Sequence, residues 1–172
     1  MVDESPFFVT PLDRHHDRAA FSSGVEPLDR YLWTQATQDM QRNVAAVFVL
    51  VERTTGRLTG YYTLAATAIE PTALPAELTR RLPYYEVFPA TLIGRLAVDR
   101  HYQGRKLGAT LLADALRRSY ENRQTVAAMA VVVDAKDEAA RSFYEHHGFI
   151  PFDDRPQRLY MPMASAGRPL MR

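Results

Sequence analysis

Cysteine is absent from the 172 residues, which removes disulfides, thiolate zinc sites and a cysteine nucleophile together and agrees with a reducing cytoplasm. Lysine is scarce: only Lys106 and Lys136 stand against nineteen arginines. Arginine is the better fork for phosphate, although the same bias is also a common compositional habit of genomes. No apolar run approaches the length of a membrane span, and no signal-peptide-like run opens the sequence, so a cytoplasmic protein with no membrane partner is expected. The net charge of +1 leaves no global basic field to argue for nucleic acid. Neither a P-loop nor a G-x-G-x-x-G fingerprint occurs. His15 and His16 are adjacent and so face different directions; they read as surface histidines, and no metal site is expected.

What is present is organised around one stretch, Pro89 to Tyr120. An apolar strand (Thr91–Val98) runs into a polar, glycine-containing turn (Asp99–Gly108), which opens directly into an amphipathic helix. The first N–H groups of such a helix are free, its dipole favours negative charge, and Arg100, Arg105 and Lys106 add side-chain charge. By itself this pattern says that a phosphate or another anion binds here.

The remaining chain reads as one domain over 1–172, with a frayed tail from about Ser165. Ser5–Leu12 is a short strand, and Glu26–Arg42 is a helix whose inner face carries Leu28, Tyr31, Leu32 and Ala36. Val44–Glu52 and Arg57–Ile69 form a hairpin about Arg53–Gly56. Leu74–Leu82 is a short helix. Leu111, Leu112, Ala115, Leu116 and Ser119 form the inner stripe of the helix after the turn. Val126–Val133 is a strand buried on both faces. Asp134–His147 is a helix with Asp134 at its N-cap, Asp137 in its first turn, Gly148 after its end, and an inner stripe of Ala140, Phe143, Tyr144 and His147. Phe149–Phe152 and Leu159–Met163 are closing strands. The order β–α–ββ–β–α–β–α–β–β predicts an α/β fold, a mixed sheet with helices on its faces.

In that order the chain resembles the GNAT N-acetyltransferases. The pyrophosphate pattern of that family, Arg/Gln-x-x-Gly-x-Gly/Ala, is met by Gln103-Gly104-Arg105-Lys106-Leu107-Gly108. The pattern Ala-x-x-x-Tyr-x-x-x-Gly-Phe is met at Ala140, Tyr144, Gly148 and Phe149. Longer segments, among them ATLIGRLAVDR and VVVDAKDEAARSFYEHHGFIPF, are similar to GNAT toxins of type II toxin–antitoxin modules. The resemblance implies the GNAT fold, with a central mixed sheet splayed in the middle and helices on both faces. It implies acetyl-CoA as co-substrate, no metal, and transfer of acetyl to the α-amino group of aminoacyl-tRNA, which blocks translation. It also implies a ribbon-helix-helix antitoxin, contact with DNA only through that antitoxin complex, and a homodimer.

Carried onto this sequence, the resemblance gives acetyl-CoA to the backbone at Ala97 and Val98, to Gln103, Gly104, Arg105, Lys106, Leu107, Gly108 and Ala109, and to Phe143. It gives Tyr144 the part of general acid in a direct attack. A phenol with a pKa of ~10 is protonated at neutral pH and can donate to a leaving thiolate. Two positions depart from the family: Lys106 replaces a glycine, where a helical N-terminal residue still offers its N–H, and Asp137 stands where many members have an asparagine that contacts the cofactor. Asp137 reads as a stabiliser of the first helical turn.

No second signature marks a base, which fits an acceptor amine of low pKa. Arg95, a charge in an apolar strand, reads either as paired with a carboxylate or lying at a sheet edge, or as touching RNA or cofactor phosphate. His147 reads as a packed ring, Glu138 and Glu145 as solvated helix charges, and Arg80 and Arg81 likewise unless they meet tRNA phosphates. Tyr84 and Tyr85 either line a substrate groove or cover the core. Two other functions fit the same residues: an acetyltransferase for a small amine or a protein N-terminus, and a non-catalytic acyl-CoA-binding or co-repressor module.

Overall fold

The computed structural model describes residues 4–170. Seven strands, β1 (Phe7–Pro11), β2 (Ala46–Glu52), β3 (Leu58–Ile69), β4 (Phe88–Val98), β5 (Ala130–Asp134), β6 (Ile150–Pro151) and β7 (Arg158–Pro162), hydrogen-bond in the order β1-β2-β3-β4-β5-β7-β6. β4 and β5 run parallel, with Ala90 opposite Ala130 and Ile93 opposite Val133. The β1–β2, β2–β3, β5–β7 and β6–β7 pairs are antiparallel, so the sheet is mixed as expected. No helix among the described residues is long and apolar enough to cross a membrane.

The chain forms two compact units, and α4 (Leu107–Glu121) is its longest helix among the described residues. The first takes the residues up to Ala65 together with Gly94–Ala115. Its hydrophobic core gathers Leu12, Phe21, Tyr31, Leu32, Ala36, Val47, Val49, Val51, Leu58, Tyr61 and Ala97. Each fully buried large side chain there contributes about 1.5–3 kcal/mol relative to exposure. The hairpin between β2 and β3 turns at Gly56, whose φ of +71° is open to glycine at no steric cost. Gly60 on β3 matters for another reason. A Cβ there would lie 2.9 Å from Leu111 Cδ1 and 3.0 Å from the Ala97 carbonyl oxygen, so its bareness lets α4 and β4 close on β3.

The helix expected over Glu26–Arg42 is three consecutive pieces: α1 (Glu26–Arg30), a π-helical turn (Tyr31–Gln35) and α2 (Ala36–Gln41). Pro27 and the acidic Glu26 suit the first turn. In the π turn the Ala36 N–H reaches back to the Tyr31 carbonyl, which inserts an extra residue and swells the helix between Tyr31 and Gln35. The expected inner face holds: Tyr31, Leu32 and Ala36 are buried and Leu28 is half-buried.

The second unit takes Ala66–Ile93 and the residues from Leu116 on. Ile69, Leu74, Phe88, Ala90, Ala130, Val132, Phe152 and Tyr160 form its core. Three sequence expectations are corrected here. The strand expected from Val126 begins at Ala130; Val126 is 72% exposed, because pairing starts only where Met129 N–H reaches the Pro89 carbonyl. The helix expected over Leu74–Leu82 is a 3-10 turn (Pro71–Ala73) followed, after Pro75, by the single turn α3 (Ala76–Thr79). The last long helix, α5 (Glu138–His146), is capped by Asp137 and not Asp134: the Asp137 carboxylate accepts from Ala140 N–H at 2.8 Å, while Asp134 is still paired in β5. Gly148 follows α5 with φ +96°, as expected of a residue past a helix end. Of the tail expected to fray from Ser165, residues 165 and 166 belong to α6 (Met163–Ala166), and 171 and 172 lie outside the described residues.

Candidate active site

Asp99, which the sequence reading passed over, is the anchor of the turn. Its carboxylate has no solvent exposure and accepts from the backbone N–H groups of Ser22 (3.1 Å) and His101 (2.9 Å), with Arg57 at 3.8 Å. Its own N–H donates to the Thr59 carbonyl at 2.8 Å, and its carbonyl accepts from Tyr102 N–H. β3, the loop before α1 and the polar turn are thereby tied to one residue, β3 through its backbone N–H and the other two through its carboxylate. Only its place at the strand end, just before the turn, could have pointed to it from sequence.

Gln103 completes the anchoring. Its side-chain amide donates to the carbonyls of Ser23 and Val98, both at 3.0 Å, so it shapes the turn through protein contacts. Arg105 is guided by the Tyr102 ring, over which the Arg105 and Arg57 guanidinium carbons lie 5.1 and 5.5 Å from the centroid. The neighbouring Glu52 carboxylate, more than burial, raises the pKa of the Tyr102 phenol.

Within the turn, Gly104 and Lys106 have φ of +85° and +61°, on either side of Arg105. Such alternation curls successive N–H groups toward one point, the geometry of an anion-binding nest. The N–H groups of Leu107, Gly108 and Ala109 at the start of α4 find no acceptor among the described residues. Arg105 and Lys106 are exposed beside them. These donors and charges fit a pyrophosphate. The expectation that Lys106 is a helical N-terminal residue is corrected. It lies before α4 in the left-handed region, which explains why a glycine suits this position: a side chain costs about 1–2 kcal/mol there.

Lys106→Gly is therefore expected to stabilise the fold by about 0.5–1 kcal/mol, the left-handed strain relieved less the added chain entropy. Acetyl-CoA affinity is expected to fall about threefold from the lost exposed charge. Denaturation and calorimetric titration of the two proteins check both signs.

In the second unit, Tyr144 lies on the inner face of α5, 7% exposed, with edge-on contacts to Phe143 (5.2 Å) and Phe149 (5.5 Å). Its hydroxyl forms no hydrogen bond with any described residue. The ring is buried, but the hydroxyl oxygen is not one of the buried polar atoms left without a partner, so it stands where water or a ligand can reach it. Burial alone pushes its pKa above the ordinary 10, which keeps it a proton donor. Phe143 is half-buried between Tyr144 and His147. His147 is held toward the neutral form by burial first and then by His146, and its Nδ1 is buried without a partner.

Glu145 pairs with Arg141 at 2.7 Å and Glu138 accepts from Gln157 at 2.6 Å; both are exposed. Arg80, Arg81 and Tyr85 are exposed, and Tyr84 is 95% exposed, so it covers no core. Ala97 is buried and Val98 half-buried at the end of β4. His15 pairs with Asp13 at 2.7 Å, and no group of three or more metal-ligating side chains exists among the described residues.

Arg95 departs from both structural readings offered for it. β4 is interior to the sheet order, and no carboxylate among the described residues lies within ion-pair distance. Its guanidinium carbon sits 3.6 Å from the Tyr31 ring centroid.

Comparison with known proteins gives three kinds of likeness. Residues 44–151 match the acetyltransferase (GNAT) domain. Over 150 residues the chain is 35% identical to a tRNA-acetylating toxin of Mycobacterium tuberculosis, covering 87% of this chain and 88% of that one. Its fold is similar to that of AtaT complexed with acetyl-methionyl-tRNAfMet, with a TM-score of 0.86 at 30% identity over 92% of this chain and 96% of the other. It is also similar to a tyrosine-to-phenylalanine variant of AtaT bound to the C-terminus of the antitoxin AtaR and acetyl-CoA, with a TM-score of 0.80 at 27% identity over 94% and 96%.

Proposed function

The chain belongs to the GNAT acetyltransferase family, and from that premise we propose that it acetylates the α-amino group of aminoacyl-tRNA as the toxin of a type II toxin–antitoxin pair. The enzyme is an N-acetyltransferase that uses acetyl-CoA. The observation that carries the proposed acceptor is the 35% identity, across seven-eighths of the chain, to a toxin named for acetylating tRNA. The whole chain, 1–172, acts in this reading as one GNAT domain.

The chemistry asks little of the protein beyond binding and proton supply. The free α-amine attacks the thioester carbonyl, and backbone N–H at Ala97–Val98 stabilises the oxyanion that forms. The C–S bond breaks as the amide forms. The Tyr144 phenol gives its proton to the departing thiolate and recovers one from the amine nitrogen through water. An α-amine titrates at ~7.7–8.0, far below a lysine, and is partly free at neutral pH, so no strong base is needed. The turn from Gly104 to Ala109, with Arg105 and Lys106, holds the pyrophosphate of acetyl-CoA, and Phe143 packs against its arm.

By the same likeness the chain works in the cytoplasm as a homodimer. A ribbon-helix-helix antitoxin holds it inactive, and DNA is met only through that complex. Added to a translation extract with acetyl-CoA, the protein is expected to stop synthesis, and without acetyl-CoA to leave it running. Full synthesis in the presence of both protein and acetyl-CoA contradicts the reading.

A further inference from the structure

We propose that Arg95 and the π-helical turn packed against it form a subsite for the phosphodiester backbone at the 3′ end of the acceptor RNA. The proposal rests on the aminoacyl-tRNA reading and deepens it. A half-buried arginine on an interior strand is costly unless its charge is used. Arg95 spends only one face: its guanidinium lies flat against Tyr31, while its N–H groups meet no acceptor among the described residues. Its backbone N–H, by contrast, is satisfied by Thr63 Oγ1 at 3.1 Å.

The platform is rigid. Tyr31 is buried, stacked on Tyr61 at 6.3 Å with an interplanar angle of 15°, and its hydroxyl donates to Asp39 at 2.8 Å. Asp39 also accepts from Gln35 at 3.0 Å, so this carboxylate is engaged by neutral donors. With its face fixed, the guanidinium has its edge free as a two-pronged fork, the shape that fits two oxygens of one phosphate.

The fork opens on a groove of about 450 Å3, a size ordinary for small-ligand clefts of about 300–1,000 Å3. Its walls come from the swollen turn, Thr34 and Gln35, and from Glu26 and Arg30 at the two ends of α1. Glu26 is neutralised by its ion pair with Arg30, which leaves Arg95 as the charge of the lining without an ion-pair partner, although the field of Asp39 behind Tyr31 reaches it. The Thr34 hydroxyl donates to the Arg30 carbonyl, so its oxygen keeps acceptor capacity of the kind a ribose hydroxyl can use. π turns are uncommon and concentrate at functional sites. Here the irregularity falls on the residues facing the unused fork.

The test is equilibrium binding of an uncharged acceptor-stem hairpin with a single-stranded 3′ end, read by fluorescence anisotropy beside calorimetric titration with acetyl-CoA. Arg95→Met is expected to weaken hairpin binding roughly tenfold, as for loss of one charged hydrogen-bonding partner. It also lowers the slope of log affinity against log salt by about 0.7–0.9. Arg95→Lys keeps the charge and the salt slope but regains only part of the affinity, because the fork is gone; it also serves if the methionine variant packs poorly. Acetyl-CoA affinity stays within twofold in both.

Unchanged hairpin binding in both variants overturns the proposal, as does a parallel loss of acetyl-CoA affinity, which would give Arg95 to the cofactor. If wild-type protein acetylates charged tRNA and hairpin binding ignores Arg95, only this proposal fails. If hairpin binding depends on Arg95 and no acetyl is transferred, the subsite stands and the acetyl-acceptor reading fails.

Discussion

Tyr144→Phe is expected to lower acetyl transfer by about 10²–10⁴-fold, the usual contribution of a positioned general acid, with little change in acetyl-CoA affinity. The reason lies in what the hydroxyl does not do: it bonds to no described residue, so its removal leaves no orphaned partner and spares α5. Thermal stability should hold, because no hydrogen bond to a described residue is lost with the hydroxyl. That separates this variant from a merely structural tyrosine, whose loss would lower stability and rate together.

The same phenol makes a pH statement. Burial raises its pKa above the ordinary ~10 of the unfolded chain, so in the native state it keeps its proton longer than in the unfolded one. Its stability contribution is fully present below pH ~10 and is lost as pH rises through the native value. For the rate, no alkaline limb from this acid is expected below pH ~10. An acidic limb should follow the acceptor amine. A fall in kcat between pH 8 and 9, with a stable fold, would assign the acid to some other group.

Asp99→Ala is expected to be the most damaging single change to the turn. Removing this wholly buried carboxylate strands the N–H groups of Ser22 and His101 and frees the partly exposed Arg57, a loss of about 2–5 kcal/mol from the charged hydrogen bonds. A drop of about 10 °C in thermal midpoint follows for a chain of this size. Acetyl-CoA affinity should fall more than tenfold, because Asp99 fixes the loop and strand from which the turn is hung. Asp99→Asn keeps the shape but points an N–H2 at one of two donors, so it should fall between. Equal stability of the alanine variant and wild type would remove Asp99 from this account.

The parts legible in sequence were those written in local spacing. The stripe Leu111, Leu112, Ala115, Leu116 and Ser119 is the buried face of α4, and Gly148 ends α5 as its position suggests. The mixed sheet followed from element order. What could not be read was decided by partners far along the chain. Asp99 is tied to Ser22, 77 residues away, and Arg95 rests on Tyr31, which no periodicity announces. The run from Val126 is apolar throughout, yet composition does not say where a neighbouring strand begins to pair, so β5 starts four residues later. The π turn over Tyr31–Gln35 keeps a helical hydrophobic pattern on both sides and so is invisible to a search for period 3.6. Asp134 and Asp137 are equally good N-caps by type; the choice fell to Asp137 because β5 still claims Asp134.

The central claim is that acetyl passes from acetyl-CoA to the α-amine of an amino acid esterified to tRNA. Its most direct measurement is transfer of labelled acetyl into a pool of charged tRNA, with deacylated tRNA and a lysine-rich peptide in parallel, followed by nuclease release and mass analysis of the terminal aminoacyl-adenosine. The account predicts label on charged tRNA alone, found as N-acetyl-aminoacyl-adenosine and lost with Tyr144→Phe. Label on the peptide, or on tRNA that carries no amino acid, contradicts it.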